Sequence, residues 1–110
     1  MNENFYVLTL PEIKQIVHSV STQLHLTFTE IALNDDVVRK LPYYVHWEDD
    51  GHTATVTVKA RTPHDINVVY HTIRDHLNQS NFTIVTVRQD YNYRNGTYIK
   101  TFKIKNFTSN

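Results

Sequence analysis

The sequence has no cysteine, only two glycines and three prolines, and no long apolar run. Without cysteine, the chain has no disulfide, no thiolate nucleophile and no cysteine-based zinc site. The two glycines, Gly51 and Gly96, are too far apart in sequence to form a glycine-rich loop that binds phosphate. No segment has the roughly 20 apolar residues of a membrane-spanning helix. The beginning of the chain also lacks the basic and apolar segments of a secretory signal. We therefore predict a cytoplasmic protein with no membrane association.

The composition is that of a folded protein. Of 110 residues, 40% are hydrophobic and 20% are charged, which is ordinary for a globular domain. Because this length suits one hydrophobic core rather than two, we predict a single α+β domain over residues 1–110. No cofactor motif and no metal-ligand spacing are present, so we predict neither a cofactor nor a metal.

The net charge of zero conceals a gradient along the chain. Residues 1–59 hold eight acidic and four basic residues, whereas residues 85–110 hold five basic residues and one acidic residue. Such asymmetry can mark a polar interaction surface, and it also arises by chance in small domains.

Two segments carry helix signals. Thr9, Pro11 and Glu12 have the spacing of a capping box, and an apolar stripe at helical spacing follows as far as Leu24. Thr62 and Pro63 open a second helix, which we expect to stop at Asn78 or Asn81.

The strand signals surround Asp50-Gly51 and Asn95-Gly96, dipeptides that favour two-residue hairpin turns. The first hairpin, 43–60, would then pair Val45 with Val56. The second hairpin, 82–107, would pair Tyr93 with Tyr98 and Arg88 with Lys103. Val85 and Val87 would lie on its apolar face. We also expect strands at 4–8 and 25–33, and a helical turn at 37–41.

These elements predict an α+β fold, with two helices on one face of a mostly antiparallel sheet of about five strands. The order is β-α-(β)-β-β-α-β-β, which also fits a ferredoxin-like arrangement with an extra strand. We expect the last strand, Tyr98 to Phe107, at a sheet edge, where a homodimer could form.

The second hairpin carries the candidate binding residues. Positive charge neutralises phosphate groups and aromatic rings stack on bases, so this mixture suits nucleic acid as well as a protein partner. The alternative is a solvated face with tyrosines packed across the strands. The residues concerned are Arg88, Arg94, Lys100, Lys103, Lys105, Tyr91, Tyr93 and Tyr98.

An acidic patch of Glu48, Asp49, Asp50, Asp35 and Asp36 is the other candidate surface. It could imitate nucleic acid towards a basic partner, or it could be turn chemistry with solvated charge. Among the seven histidines, only His71 with Asp75 and His46 with Glu48 offer acid–base pairs, and no nucleophile completes either of them.

We therefore predict a small non-catalytic binding protein. A protein-interaction or inhibitor module, acting on a partner that handles nucleic acid, is the favoured interpretation. One alternative is a nucleic-acid-binding module that uses the basic second hairpin, and another is an acid–base enzyme.

Overall fold

The architecture comes from a computed structural model that describes residues 8–34, 36, 40–41, 43–77, 83–92, 96–105 and 107. For residues 91 and 92 it describes the backbone alone. The elements, in chain order, are α1 Leu10–Gln23, β1 Thr27–Thr29, β2 Tyr44–Asp49, β3 Ala54–Ala60, α2 Pro63–His76, β4 Thr83–Asn92 and β5 Thr97–Lys105.

Both helices begin where the sequence predicts. Thr9 caps α1 in a capping box, because its hydroxyl accepts from the Glu12 amide while the Glu12 carboxylate accepts from the Thr9 amide. The Thr9 hydroxyl also donates to the Glu12 carboxylate, and the bonds from the Thr9 amide and hydroxyl hold the pKa of Glu12 below its ordinary value. Thr62 caps α2 by accepting from the Asp65 amide. α2 ends at His76, and the predicted stops Asn78 and Asn81 lie outside the described residues.

α1 ends in a left-handed turn at His25, whose φ is 61°. The Leu26 amide donates to Ser21 O and the His25 amide donates to Thr22 O, which is the Schellman pattern. This turn redirects the chain into β1.

The sheet has the strand order β1-β2-β3-β5-β4, in which β1 and β2 are parallel and the other pairs are antiparallel. β5 therefore lies between β3 and β4, so the prediction of a last strand at the sheet edge is wrong. β3, α2 and β4 form a split β-α-β unit with β5 inserted, as in ferredoxin-like domains. The predicted α+β fold is confirmed, because the elements given above, all within the described residues, are two helices and a mostly antiparallel five-stranded sheet.

The core lies between the helices and one sheet face, here called the helix-bearing face. Val45, Trp47 and Phe102 come from the strands, and Val17 and Ile73 come from the helices; each is at most 1% exposed. Trp47 is thus a core residue, and its indole Nε1 donates to Asp49 Oδ2 at 2.8 Å.

The predicted register of the first hairpin is wrong by two residues. Val45 pairs with Val58 rather than Val56, and four residues, 50–53, join the strands. The wider turn is stabilised by the Asp50 carboxylate, which accepts from the His52 and Thr53 amides at 2.8 and 2.7 Å. Because the shift is even, every side chain keeps its predicted face.

The register of the second hairpin is also shifted. Tyr91, not Tyr93, pairs with Tyr98, and a β-bulge lies between Thr86 and Arg88. The bulge reverses the alternation of side chains in the part of β4 that precedes it, residues 83–86. Ile84 and Thr86 therefore lie on the helix-bearing face, beside their partners Ile104 and Phe102. The predicted inward positions of Val85 and Val87 are wrong for this reason, since these side chains are 46% and 55% exposed.

The predicted strand at 25–33 is reduced to the three residues of β1. The predicted strand at 4–8, apart from Leu8, and the centre of the predicted helical turn at 37–41 lie outside the described residues. Leu8 is 6% exposed and belongs to the core.

Candidate functional site

The sheet has two faces, and the strand register shows which residues lie on each face. On β5, Tyr98, Lys100, Phe102 and Ile104 alternate onto the helix-bearing face, because Phe102 and Ile104 are fully buried against the core. Ile99, Thr101, Lys103 and Lys105 alternate onto the other side, here called the opposite face. The predicted binding residues of the second hairpin are therefore divided between two surfaces.

Lys100 lies on the helix-bearing face. Its Nζ is 4.0 Å from the centroid of the Tyr70 ring, and that ring packs edge-on against Phe102 at 5.1 Å. Lys100 therefore packs against an aromatic pair formed by Tyr70 of α2 and Phe102 of β5, and the cation–π contact with Tyr70 stabilises the lysine there.

Arg88 lies on the opposite face, paired across the strands with Thr101 rather than with the predicted Lys103. Its Nε donates to Asp90 Oδ2 at 2.5 Å, so its charge is compensated within the same strand. The Arg88 guanidinium also affects the pKa of Tyr44. Burial raises the pKa of the Tyr44 phenol, and the charge of Arg88 opposes that rise.

Lys103 and Lys105 line a groove of about 270 Å³ together with the acidic end of the first hairpin. On the acidic side are Glu48, Asp49 and Asp50. Glu48 and Lys103 flank Thr55 on adjacent strands, so their side chains share the opposite face. The acidic and basic stretches of the sequence thus meet in space.

Two carboxylates of the acidic patch make local hydrogen bonds. Asp49 accepts from Trp47 Nε1 and from the Gly51 amide, and Asp50 accepts from two turn amides. The bonds from His52 and Thr53 hold the pKa of Asp50 below its ordinary value. Turn chemistry therefore accounts for these two residues. Asp36 is exposed.

Four predicted site residues have no described side chain. Tyr93, Arg94 and Asp35 lie outside the described residues, and for Tyr91 only the pairing with Tyr98 is described. Tyr98 itself is half-buried and packs against the core.

The two acid–base pairs lie on different sides of the sheet. His71 is exposed on α2, where its ring meets Tyr70 edge-on at 5.4 Å. His46 is 5% exposed on the opposite face, with Nε2 2.9 Å from Ile31 O. These residues therefore do not converge in one cleft. No group of three potential metal ligands occurs within the described part of the chain.

The sequence did not indicate the role of β4 as an edge strand. It spans ten residues at the end of the sheet order. Its exposed valines, Val85 and Val87, are two of the three exposed large apolar side chains among the described residues; Ile31 is the third. Edge position follows from strand order, and no local pattern encodes that order.

No helix in the described part of the chain is long and apolar enough to cross a membrane. No protein-family model matches this chain, and no curated protein matches it.

Solved structures that match this chain include two of low sequence identity. One, described as "Modulating Heme Redox Potential Through Protein-Induced Porphyrin Distortion", has a TM-score of 0.52 and 10% identity over 93% of this chain and 52% of that chain. The other is the Acinetobacter baumannii histidine kinase AdeS, with a TM-score of 0.36 and 11% identity over 96% of this chain and 69% of that chain. This chain thus spans about half the length of the first structure, and that similarity supports the α+β fold alone.

Proposed function

We propose that this chain is a non-catalytic protein-binding domain that pairs an extended segment of another protein with β4. The observation that carries the proposal is the exposure of Val85 and Val87 on a ten-residue edge strand. An edge strand offers main-chain hydrogen bonds to an incoming strand, and exposed apolar side chains on it add specificity.

The surroundings of β4 define the chemistry of the partner. Val85 pairs with Lys103 and Thr83 pairs with Lys105, so a basic row borders the exposed valine on the opposite face. A matching segment has an apolar side chain against Val85 and carboxylates within reach of the two lysines. A nucleic-acid-handling partner and an inhibitory role remain predictions from the sequence.

A peptide-display selection on the folded domain tests this proposal. The affinity of selected peptides is then measured by fluorescence anisotropy for the wild type and for the double variant V85E/V87E. We expect binding to weaken at least about tenfold, because the two glutamates remove apolar contact and repel the carboxylates of a segment that matches the basic row.

Ile31→Glu is the matched control, since Ile31 is 57% exposed but lies outside β4. Equal loss of affinity in the control and the β4 variant would contradict the proposal. So would a selection that yields no peptide with affinity for the folded domain.

The nucleic-acid alternative predicts a different dependence on salt. Arg88, Lys103 and Lys105 share the opposite face, so an oligonucleotide held there would dissociate steeply as salt rises. Arg88→Gln would then weaken oligonucleotide binding without affecting the selected peptides. Oligonucleotide binding that is insensitive to salt would exclude this alternative.

A further inference from the structure

A second cavity lies on the helix-bearing side of the sheet, away from β4. It measures about 250 Å³ and is half-open to solvent. Its floor is aliphatic, built by Leu24 and Leu26 from the turn after α1, by Ala60 at the end of β3, and by Val68 and Val69 of α2. A pocket with this lining accepts an apolar group.

The mouth of the cavity carries a positioned cation. Arg61 follows β3 directly, and its guanidinium carbon lies 4.9 Å from the centroid of the Tyr43 ring. Its Nε also donates to the Tyr43 hydroxyl. Both contacts fix the planar guanidinium, whose terminal nitrogens are suited to bind a carboxylate in a fork geometry.

The mouth also carries an anion. Asp65 lines the same cavity from the first turn of α2, four residues after Arg61. Within the described residues these two side chains form no ion pair with each other, although both are exposed at one opening. A small molecule that carries a carboxylate and an ammonium group close together could therefore bind Arg61 and Asp65 at the same time.

We propose that this cavity binds a free α-amino acid with an aliphatic side chain. Its carboxylate lies against Arg61, its ammonium group against Asp65, and its side chain against the aliphatic floor. The size agrees with this class, because a cavity of about 250 Å³ is slightly below the ~300 Å³ at which pockets for drug-sized ligands begin.

Amide NMR spectra recorded during a titration with L-leucine test the proposal. We expect saturable shifts confined to the cavity residues. L-leucinamide lacks the carboxylate and isocaproate lacks the ammonium group, so each is expected to bind about tenfold more weakly than leucine. L-lysine, whose side chain is charged, is expected to cause no saturable shift.

Variants of the two charged residues have matched controls on α2. Arg61→Gln and Asp65→Asn are each expected to weaken leucine binding about tenfold. Arg74→Gln and Asp75→Asn, which change exposed residues that do not line the cavity, leave it unchanged. The spectra report in the same experiment whether each variant is folded.

Two results would overturn the proposal. One is the absence of any saturable shift up to about 20 mM leucine, which would mean an affinity weaker than that of ordinary metabolite sites. The other is equal binding of leucine and its amide, since the assigned role of Arg61 requires the carboxylate. The β4 surface has no part in this test, so either proposal can fail alone.

Discussion

His25 occupies a backbone conformation that usually belongs to glycine. Its φ of 61° places it in the left-handed region, which costs a residue with a side chain about 1–2 kcal/mol. We expect His25→Gly to raise the free energy of unfolding by about 0.5–1 kcal/mol, because glycine relieves the strain but makes the unfolded chain more flexible.

Urea unfolding followed by circular dichroism measures this change. Thr22→Gly, in the last turn of α1, is the control and is expected to destabilise the protein by up to about 1 kcal/mol. A His25→Gly variant less stable than the wild type would show that the imidazole contributes more than the strain costs.

Asp50 makes stability depend on pH. Hydrogen bonds from the His52 and Thr53 amides lower its pKa in the folded protein. A lowered folded pKa means that the carboxylate stabilises the fold above its unfolded pKa of about 3.9, and that this contribution is lost as the pH falls through the folded pKa.

We therefore expect Asp50→Asn to have a lower urea midpoint than the wild type at neutral pH. The difference should shrink as both proteins are acidified below the folded pKa of Asp50. Measurement of both midpoints across an acid pH series checks this. A difference that stays constant at every pH would show that the charge of Asp50 has no part in it.

At the scale of elements, the helix starts are encoded locally and are therefore readable from the sequence. The bonds of the capping box join Thr9 to Glu12, three residues away. We expect Thr9→Ala to lower stability by about 1 kcal/mol, because it leaves the first-turn amides of α1 without their acceptor. Thermal unfolding of this variant provides the measurement.

Thr22→Ala is the matched control for the capping experiment. Thr22 also lies on α1, but its hydroxyl donates to the His18 carbonyl rather than capping the helix. Alanine has the higher helix propensity, so this change is expected to be neutral or slightly stabilising. Equal losses in the two variants would argue against the capping contribution.

The hairpins were only half predictable from the sequence. Gly51 and Gly96 do mark the turns and both have positive φ. The loops, however, contain four residues rather than two, and the bulge at Val87 adds a further shift in β4. Hydrogen bonds at Asp50 stabilise the first register, whereas the extra residue at Val87 alters the second register only between Thr83 and Thr86, and neither feature leaves a pattern in hydrophobicity.

At the scale of the molecule, strand order determines which apolar side chains contribute most to the free energy of unfolding. Phe102 lies on β5, between two paired strands, and is fully buried. We expect Phe102→Ala to lower the free energy of unfolding by about 3–5 kcal/mol, and Val87→Ala to change it by less than about 0.5 kcal/mol. Urea unfolding of both variants tests this contrast.

Phe102→Leu gives a milder version of the same test if the alanine variant does not fold. Comparable losses for Phe102→Leu and Val87→Ala would contradict the assigned strand order. The sequence alone predicted Val87 on the apolar face, the same face as Phe102, and that prediction is wrong for Val87.

The candidate surfaces were the least predictable part of the molecule. The charge gradient is real in the sequence, yet folding brings Glu48 beside Lys103 and leaves Lys100 on the far side of the sheet. Nothing in the sequence marks Arg61 and Asp65 as a pair, because each is ordinary in its own segment. Their shared cavity exists only after α1, β3 and α2 have packed together.

The insertion of β5 between β3 and β4 has a consequence for synthesis on the ribosome. β3 and β4 emerge before the strand that joins them. Until β5 has left the exit tunnel, one side of β3 has no neighbour and the aliphatic faces of the helices lack Phe102 and Ile104. Nascent chains that stop short of residue 97 would therefore be the forms most in need of chaperones, because the sheet can close only when β5 follows the two strands that it joins.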